Sequence, residues 1–305
     1  MFRISGFYDE AAADLGKQIA LIKKLGGKYL CPRLLNGKNI ADFSADEFER
    51  DILPVLSDAG IRLSSLGSPA GKINIDDADA YAAQKKKLAE LIKIAGLADC
   101  KYIRCFSFFT GGADTDGVRN KVLDKWRGFL ELAEGSGVTL LHENEKKIFG
   151  DIPERALWLY VKLSHPQFKL CYDASNYIQC GADPWAAYEA TREYTVYYHM
   201  KDCIDGVETP LGMGRGRIAD IIKDLNERGY DGFLTLEPHT AKYALLKKAF
   251  YILPFLRATR YGRVFGMIDK AAGIKPLETV SREDVFVWQY ENLVKIIKNV
   301  GGKYE

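Results

Sequence analysis

The sequence predicts an α/β fold: a (β/α)8 barrel carrying an insertion between the eighth strand and the last helix. Eight short apolar runs alternate with helical patterns, and most helices close on glycine, which argues for parallel strands joined by helical crossovers. Four of the runs also end in a group able to hold a metal. Residues 138–145 (VTLLHENE) present Glu143, 168–173 (FKLCYD) end in Asp173, 196–199 (VYYH) in His199 and 233–237 (FLTLE) in Glu237. Carboxylates and an imidazole at the tips of successive parallel strands, facing one mouth, are what a metal site on such a barrel requires.

The first strand, residues 2–7, leads into a helix over 12–25 in which Leu15, Ile19 and Ile22 recur at helical spacing, ended by Gly26 and Gly27. The second strand, 28–35 (KYLCPRLL), precedes a helix opened by Ser44, an N-cap with Glu47 three residues on. The third, 61–67 (IRLSSLG), precedes a long helix over 76–95 with Leu88, Leu91, Ile92 and Ala95 on one face. The fourth, 101–109 (KYIRCFSFF), gives way to a Gly and Asp loop and a helix containing Val122, Trp126, Phe129 and Leu132. Pro153 opens the helix after the fifth strand, and Asp183 and Pro184 open the one after the sixth. The seventh strand is 195–202 (TVYYHMKD); a GMGRG loop then leads to a helix over 218–228, and 232–237 form the eighth strand.

Beyond it the repeat stops. Residues 238–282 show no strand or turn of the same design and are dense in aromatic and basic residues, while the eighth helix falls only at 283–300. The segment reads as an insertion beside the mouth of a single domain spanning 1–305, a lid or an oligomer contact.

A hydrophobic fraction of 47% supplies a large core, and a net charge of +2 is too balanced for a nucleic-acid or anionic-membrane surface. The six cysteines form no CxxC pair, so a reducing cytoplasm is the expected compartment. The first residues carry no pattern of a secretion signal, and no apolar run approaches the roughly 18 residues that span a bilayer.

Three carboxylates and one imidazole, from Glu143, Asp173, His199 and Glu237, suit one divalent ion: Mn²⁺ or Mg²⁺, with Co²⁺ or Zn²⁺ tolerated. Around this set, His142 either orients substrate or points between strand and helix. Lys201 alternates onto the side of His199 and either polarises a substrate oxygen or pairs with Glu237 or Asp173. His239 follows the last ligand and is a candidate substrate contact. Arg33, at the end of the second strand, is either another such contact or a rim ion pair. The glycines of GMGRG fit neither a Walker nor a dinucleotide fingerprint, but their amides, with Arg215 or Arg217, offer a place for an anionic group.

The order Glu143, then D-x-x-N at 173–176, HMKD at 199–202, G-x-G and YDGFLTLEP at 230–238 resembles the xylose isomerase-like TIM-barrel superfamily across nearly the whole chain. The fragments SSLGSPAGKI, YIRCFSFF, HENEKKIFGD, YYHMKD and GYDGFLTLEPH are similar to sugar phosphate isomerase/epimerase proteins and, more distantly, to ketose 3-epimerases. The resemblance implies a sugar substrate and assigns Glu143 and Glu237 as metal ligands and as the acid/base pair. One would remove a proton next to a carbonyl and the other return it from the opposite face, through a metal-stabilised enediolate. The chain departs from the epimerase pattern at Asn176, where they carry a histidine that contacts substrate or a second metal, so substrate identity does not transfer. A lyase or dehydratase of the same fold would use the same residues and is the alternative. An endonuclease IV-like enzyme would need many more than the four histidines present, and a non-catalytic binding barrel would not need four ligands.

Overall fold

The structure, a computed structural model, describes residues 1–305. Seven of the expected strands form one parallel sheet, in which Phe2–Gly6 pairs with Gly232–Leu236 and the order continues through Thr195–Met200, Phe168–Asp173, Thr139–Glu143 and Tyr102–Cys105 to Leu66–Ala70. The second strand departs from expectation: only Tyr29–Leu30 joins a ladder, with Arg62–Leu63. Pro32, in the middle of KYLCPRLL, has no N–H to donate, and the chain beyond it folds back as a hairpin of Leu34–Leu35 on Lys38–Asn39. Single hydrogen bonds still complete the ring. The Cys31 amide donates to the Gly6 carbonyl at 3.0 Å, and the Ser64 and Gly67 amides to the Leu30 and Pro32 carbonyls at 3.0 and 2.9 Å.

Helices fall close to their expected places because their end signals operate locally. The Ser44 hydroxyl accepts from the Glu47 amide at 3.1 Å, and the Asp183 carboxylate from the Ala186 amide at 2.8 Å. Pro54 divides the helix after Ser44 into Ala45–Asp51 and Leu53–Ala59.

Side-chain alternation sorts each strand into an inward and an outward set. Leu141, Cys171, Tyr197 and Phe233 pack together inside the barrel, whereas Leu140, Leu170, Tyr198 and Leu234 join the layer between sheet and helices. Inward positions two residues further along are Glu143, Asp173, His199 and Thr235. The ladder register sets His199 level with Asp173 on one side and with Thr235 on the other, so the mouth-ward residues converge.

The 238–282 insertion is helical, built mainly from Ala241–Ile252 and Arg260–Ala272. Its satellite core of Tyr243, Val264, Phe265 and Ile268 packs on Val207 of the hairpin Asp202–Ile204/Val207–Thr209 and on Val285 of the last helix, Arg282–Asn299. Among the described residues, no helix is long and apolar enough to cross a membrane.

Candidate metal centre

Strands five to eight bring Glu143, Asp173, His199 and Glu237 together, with one candidate ligand atom from each lying within 4.8 Å of the others. All four are buried. Nδ1 of His199 is 2.9 Å from Glu143 Oε1 and 3.2 Å from Glu237 Oε2, and the His199 ring is held edge-on against Phe7. The short helix Ala174–Gln179 starts at the site: Asp173 caps it, accepting from the Asn176 amide at 2.9 Å. Asn144 fixes Asp173 from the other side, its side chain accepting from the Asp173 amide and donating to the Asp173 carbonyl at 2.8 and 2.9 Å.

Three buried carboxylates repel one another, and two cations buried among them, with Arg33 at the rim, offset this. Lys201 Nζ lies 2.8 Å from Asp173 Oδ2 and 3.5 Å from Glu237 Oε2, so the ion-pair reading of this lysine holds. The other cation, Arg104, went unnoticed in the sequence as a site residue. It is inward-facing on the fourth strand, clamped by the rings of Phe7 and Phe106 and by the Gly67 and Ser68 carbonyls, and its Nη1 is 3.2 Å from both Glu143 Oε2 and Glu237 Oε1. Strict alternation from Tyr102, two residues earlier, was the signal that could have found it. Burial raises the carboxyl pKa of Glu143 and Glu237, but His199 with Arg104 at the first, and Lys201 with His199 at the second, outweigh it and hold both low. At Asp173 burial wins over Lys201 and the value rises.

The set fits a divalent cation. Glu143 Oε2 and Asp173 Oδ2 are buried at ion-pair distance from Arg104 and Lys201, yet neither accepts a hydrogen bond of good angle, leaving lone pairs for a metal. Three oxygens and one nitrogen are the donor types of such an ion.

The remaining candidates divide. Asn176 reaches the centre, donating to Glu143 Oε1 at 3.3 Å and to the Asn144 carbonyl at 2.9 Å. Arg33 and His239 stand at its rim on a buried acidic pair that sequence reading passed over. Arg33 Nε is 2.8 Å from Asp9 Oδ2, His239 Nδ1 is 2.9 Å from Glu10 Oε1, and both side chains come within 3.6 Å of Glu237 Oε1.

His142 does not join them. As an outward residue it bonds Ser107 Oγ at 2.9 Å against Trp126 and Phe168, and burial brings its pKa down to about 3. The GMGRG loop offers no free amides for an anion either. Asp202 takes those of Gly212, Gly214 and Gly216 at 2.8–3.0 Å, together with that of Cys203. Arg217 turns outward, paired with Asp220 and set over Trp185, and Arg215 is 71% exposed, 3.7 Å from Asp205.

The family described as xylose isomerase-like TIM barrel matches residues 11–258 of this chain. The chain belongs to that family. Among solved structures, this TIM barrel is similar to the IolI protein with a bound zinc atom, at TM-score 0.70 and 14% identity over 98% of this chain and 99% of that one. It is similar to D-allulose 3-epimerase from Methylomonas sp., at 0.67 and 14% over 98% of each chain. A probable 3-DHS dehydratase, AsbF from Bacillus anthracis, aligns at 0.64 and 18% over 89% of this barrel and 98% of that chain. No curated protein matches significantly by sequence.

Proposed function

We propose that this TIM barrel is a divalent-metal-dependent isomerase or epimerase that moves a proton at the carbon next to the carbonyl of a keto sugar or sugar phosphate. One observation carries the reading: two buried carboxylates, Glu143 and Glu237, reach the same imidazole nitrogen from the fifth and eighth strands, at 2.9 and 3.2 Å. A divalent ion, for which Mn²⁺ is our first choice, would supply Lewis acidity at the substrate oxygens when held by Glu143, Asp173, His199 and Glu237.

The chain's own residues do the rest. Glu143 takes the proton from carbon and Glu237 returns one from the other face, each already ionised beside Arg104. Lys201 holds Asp173 in place and is available to a substrate oxygen. Arg33 and His239 close the rim, where they can bind hydroxyls. The neighbouring D-allulose 3-epimerase is in keeping with this chemistry.

A second reading, dehydration, is favoured by His239. Paired with Glu10 and 3.6 Å from Glu237, it can give a proton to a departing hydroxyl after the same abstraction, and AsbF is described as a probable dehydratase. Turnover of candidate keto sugars in D₂O decides between them. Epimerisation or isomerisation by proton transfer places deuterium at the reacting carbon, dehydration yields an unsaturated product, and an epimer or isomer formed without solvent deuterium would refute the proton-transfer mechanism. All six cysteines are free thiols, which supports a reducing, cytoplasmic setting.

A further inference from the structure

A polar groove of about 570 Å³, lined by none of the four candidate ligands, is not used by the proposed chemistry. It is assembled from segments that follow four of the strand ends. Lys146 comes from the loop after the fifth strand and Gln179 from the end of the helix that Asp173 caps; Asp205, Glu208 and Arg215 follow the seventh strand, and Lys242 and Arg260 belong to the insertion. Four cations therefore face two carboxylates. The carboxylates are partly engaged: Asp205 lies 3.7 Å from Arg215, and Glu208 accepts from Gln179 Nε2 at 3.4 Å. Lys146 donates to the neutral Gln179 Oε1 at 2.6 Å, and Arg260 makes one long bond, 3.5 Å, to the Asp205 carbonyl. Among the described residues, no carboxylate comes within ion-pair distance of Lys146, Lys242 or Arg260, while Tyr261 presents its ring to the last two.

We propose that this groove binds a phosphate monoester on the far end of the substrate, an assignment that rests on the reading above and makes the substrate a phosphorylated keto sugar. The surplus of two positive charges matches the roughly −1.5 to −2 carried by a phosphate monoester near neutral pH, whereas a carboxylate would neutralise only half of it. One short helix connects the two places: Asp173 caps Ala174–Gln179, whose axial rise is about 9 Å at about 1.5 Å per residue, and its last residue, Gln179, lines the groove. The phosphate is met by the side chains of Lys146 after the fifth strand, Arg215 of the glycine loop, and Lys242 and Arg260 of the insertion, since the glycine-loop amides are already given to Asp202.

The test uses inorganic phosphate as a probe in calorimetry, so that the groove is read without turnover, alongside kinetics with matched phosphorylated and unphosphorylated ketoses. Wild type should bind phosphate, and Lys242→Ala/Arg260→Ala should bind it about 10-fold more weakly, as should Lys146→Gln if the double variant fails to fold. In kinetics the same variants should raise KM for the phosphorylated ketose by a similar factor and leave the unphosphorylated one unchanged. Wild type that does not bind phosphate, variants that bind it as well as wild type, or equal KM effects on both ketoses would each overturn the proposal. Phosphate binding that responds to the variants while no ketose turns over would instead sink the isomerase reading and leave the groove standing as an anion site.

Discussion

Glu143 and Glu237 meet at one nitrogen: His199 Nδ1 lies 2.9 Å from the first and 3.2 Å from the second. This contact links strands that are far apart in sequence, and it depends on the seventh strand standing between the sixth and the eighth. The behaviour of the site follows from what holds these carboxylates together.

Metal analysis should find about one divalent ion per chain in protein purified without chelator, and His199→Ala/Asp173→Ala should lose it. Adding the ion to stripped protein at about 100 times its Kd should raise stability by about 2.7 kcal/mol, read as a shift in thermal midpoint. Full metal content in the double variant would refute the ligand assignment.

Arg104→Met should destabilise the metal-free protein by about 3 kcal/mol in urea titrations, because it leaves two buried carboxylates without their shared cation. Added metal should restore part of the loss. An unchanged urea midpoint would mean that the guanidinium does not offset these charges.

Asp202→Ala removes the acceptor of four backbone amides and should cost about 3 kcal/mol, with the loop after the seventh strand losing hydrogen-exchange protection first. Gly214→Ala should act in the same direction, since a Cβ there would collide with the Asp202 carboxylate. Arg217→Ala, whose guanidinium is half-exposed and paired with Asp220, should leave stability and turnover near wild type.

Burial raises the Cys100 thiol to about 12, so the folded state favours the protonated form. Its contribution is fully present below the unfolded thiol pKa of about 8.5 and is lost as pH rises toward the folded value. Between pH 7.5 and 10.5, wild type should lose about 2.6 kcal/mol more than Cys100→Ala in urea titrations. Parallel losses would show that this thiol is not the cause.

Leu245, Ile252 and Phe255 expose apolar surface on the insertion, at 71, 67 and 71%. We expect this face to mediate contact between copies of the chain, while Tyr243 anchors the insertion from within. Ile252→Ser/Phe255→Ser should reduce the particle mass in light scattering and spare turnover; a wild type that is already monomeric would refute the expectation.

The barrel was legible in the sequence because its signals are local: alternating apolar runs, caps such as Ser44 and Asp183, and a ligand-type residue at each of four strand ends. Alternation also held more than was taken from it. His142 stands one residue before an inward glutamate and must face the helices, and Arg104 stands two residues after inward Tyr102. Pro32 announced the interruption of the second strand, since its ring nitrogen cannot donate to a ladder whatever surrounds it.

What only the tertiary structure decided depends on groups distant in the chain becoming neighbours. The registers of separate strands bring Arg104 Nη1 between Glu143 and Glu237, and the segments that follow the first and eighth strands bring the Glu10 carboxylate under His239. The return of the glycine loop onto Asp202 spends amides that the sequence offered to an anion. Pattern in the chain determines which way a side chain leaves its own strand; which charge it meets there is determined by burial and by the register of strands that sequence proximity does not connect.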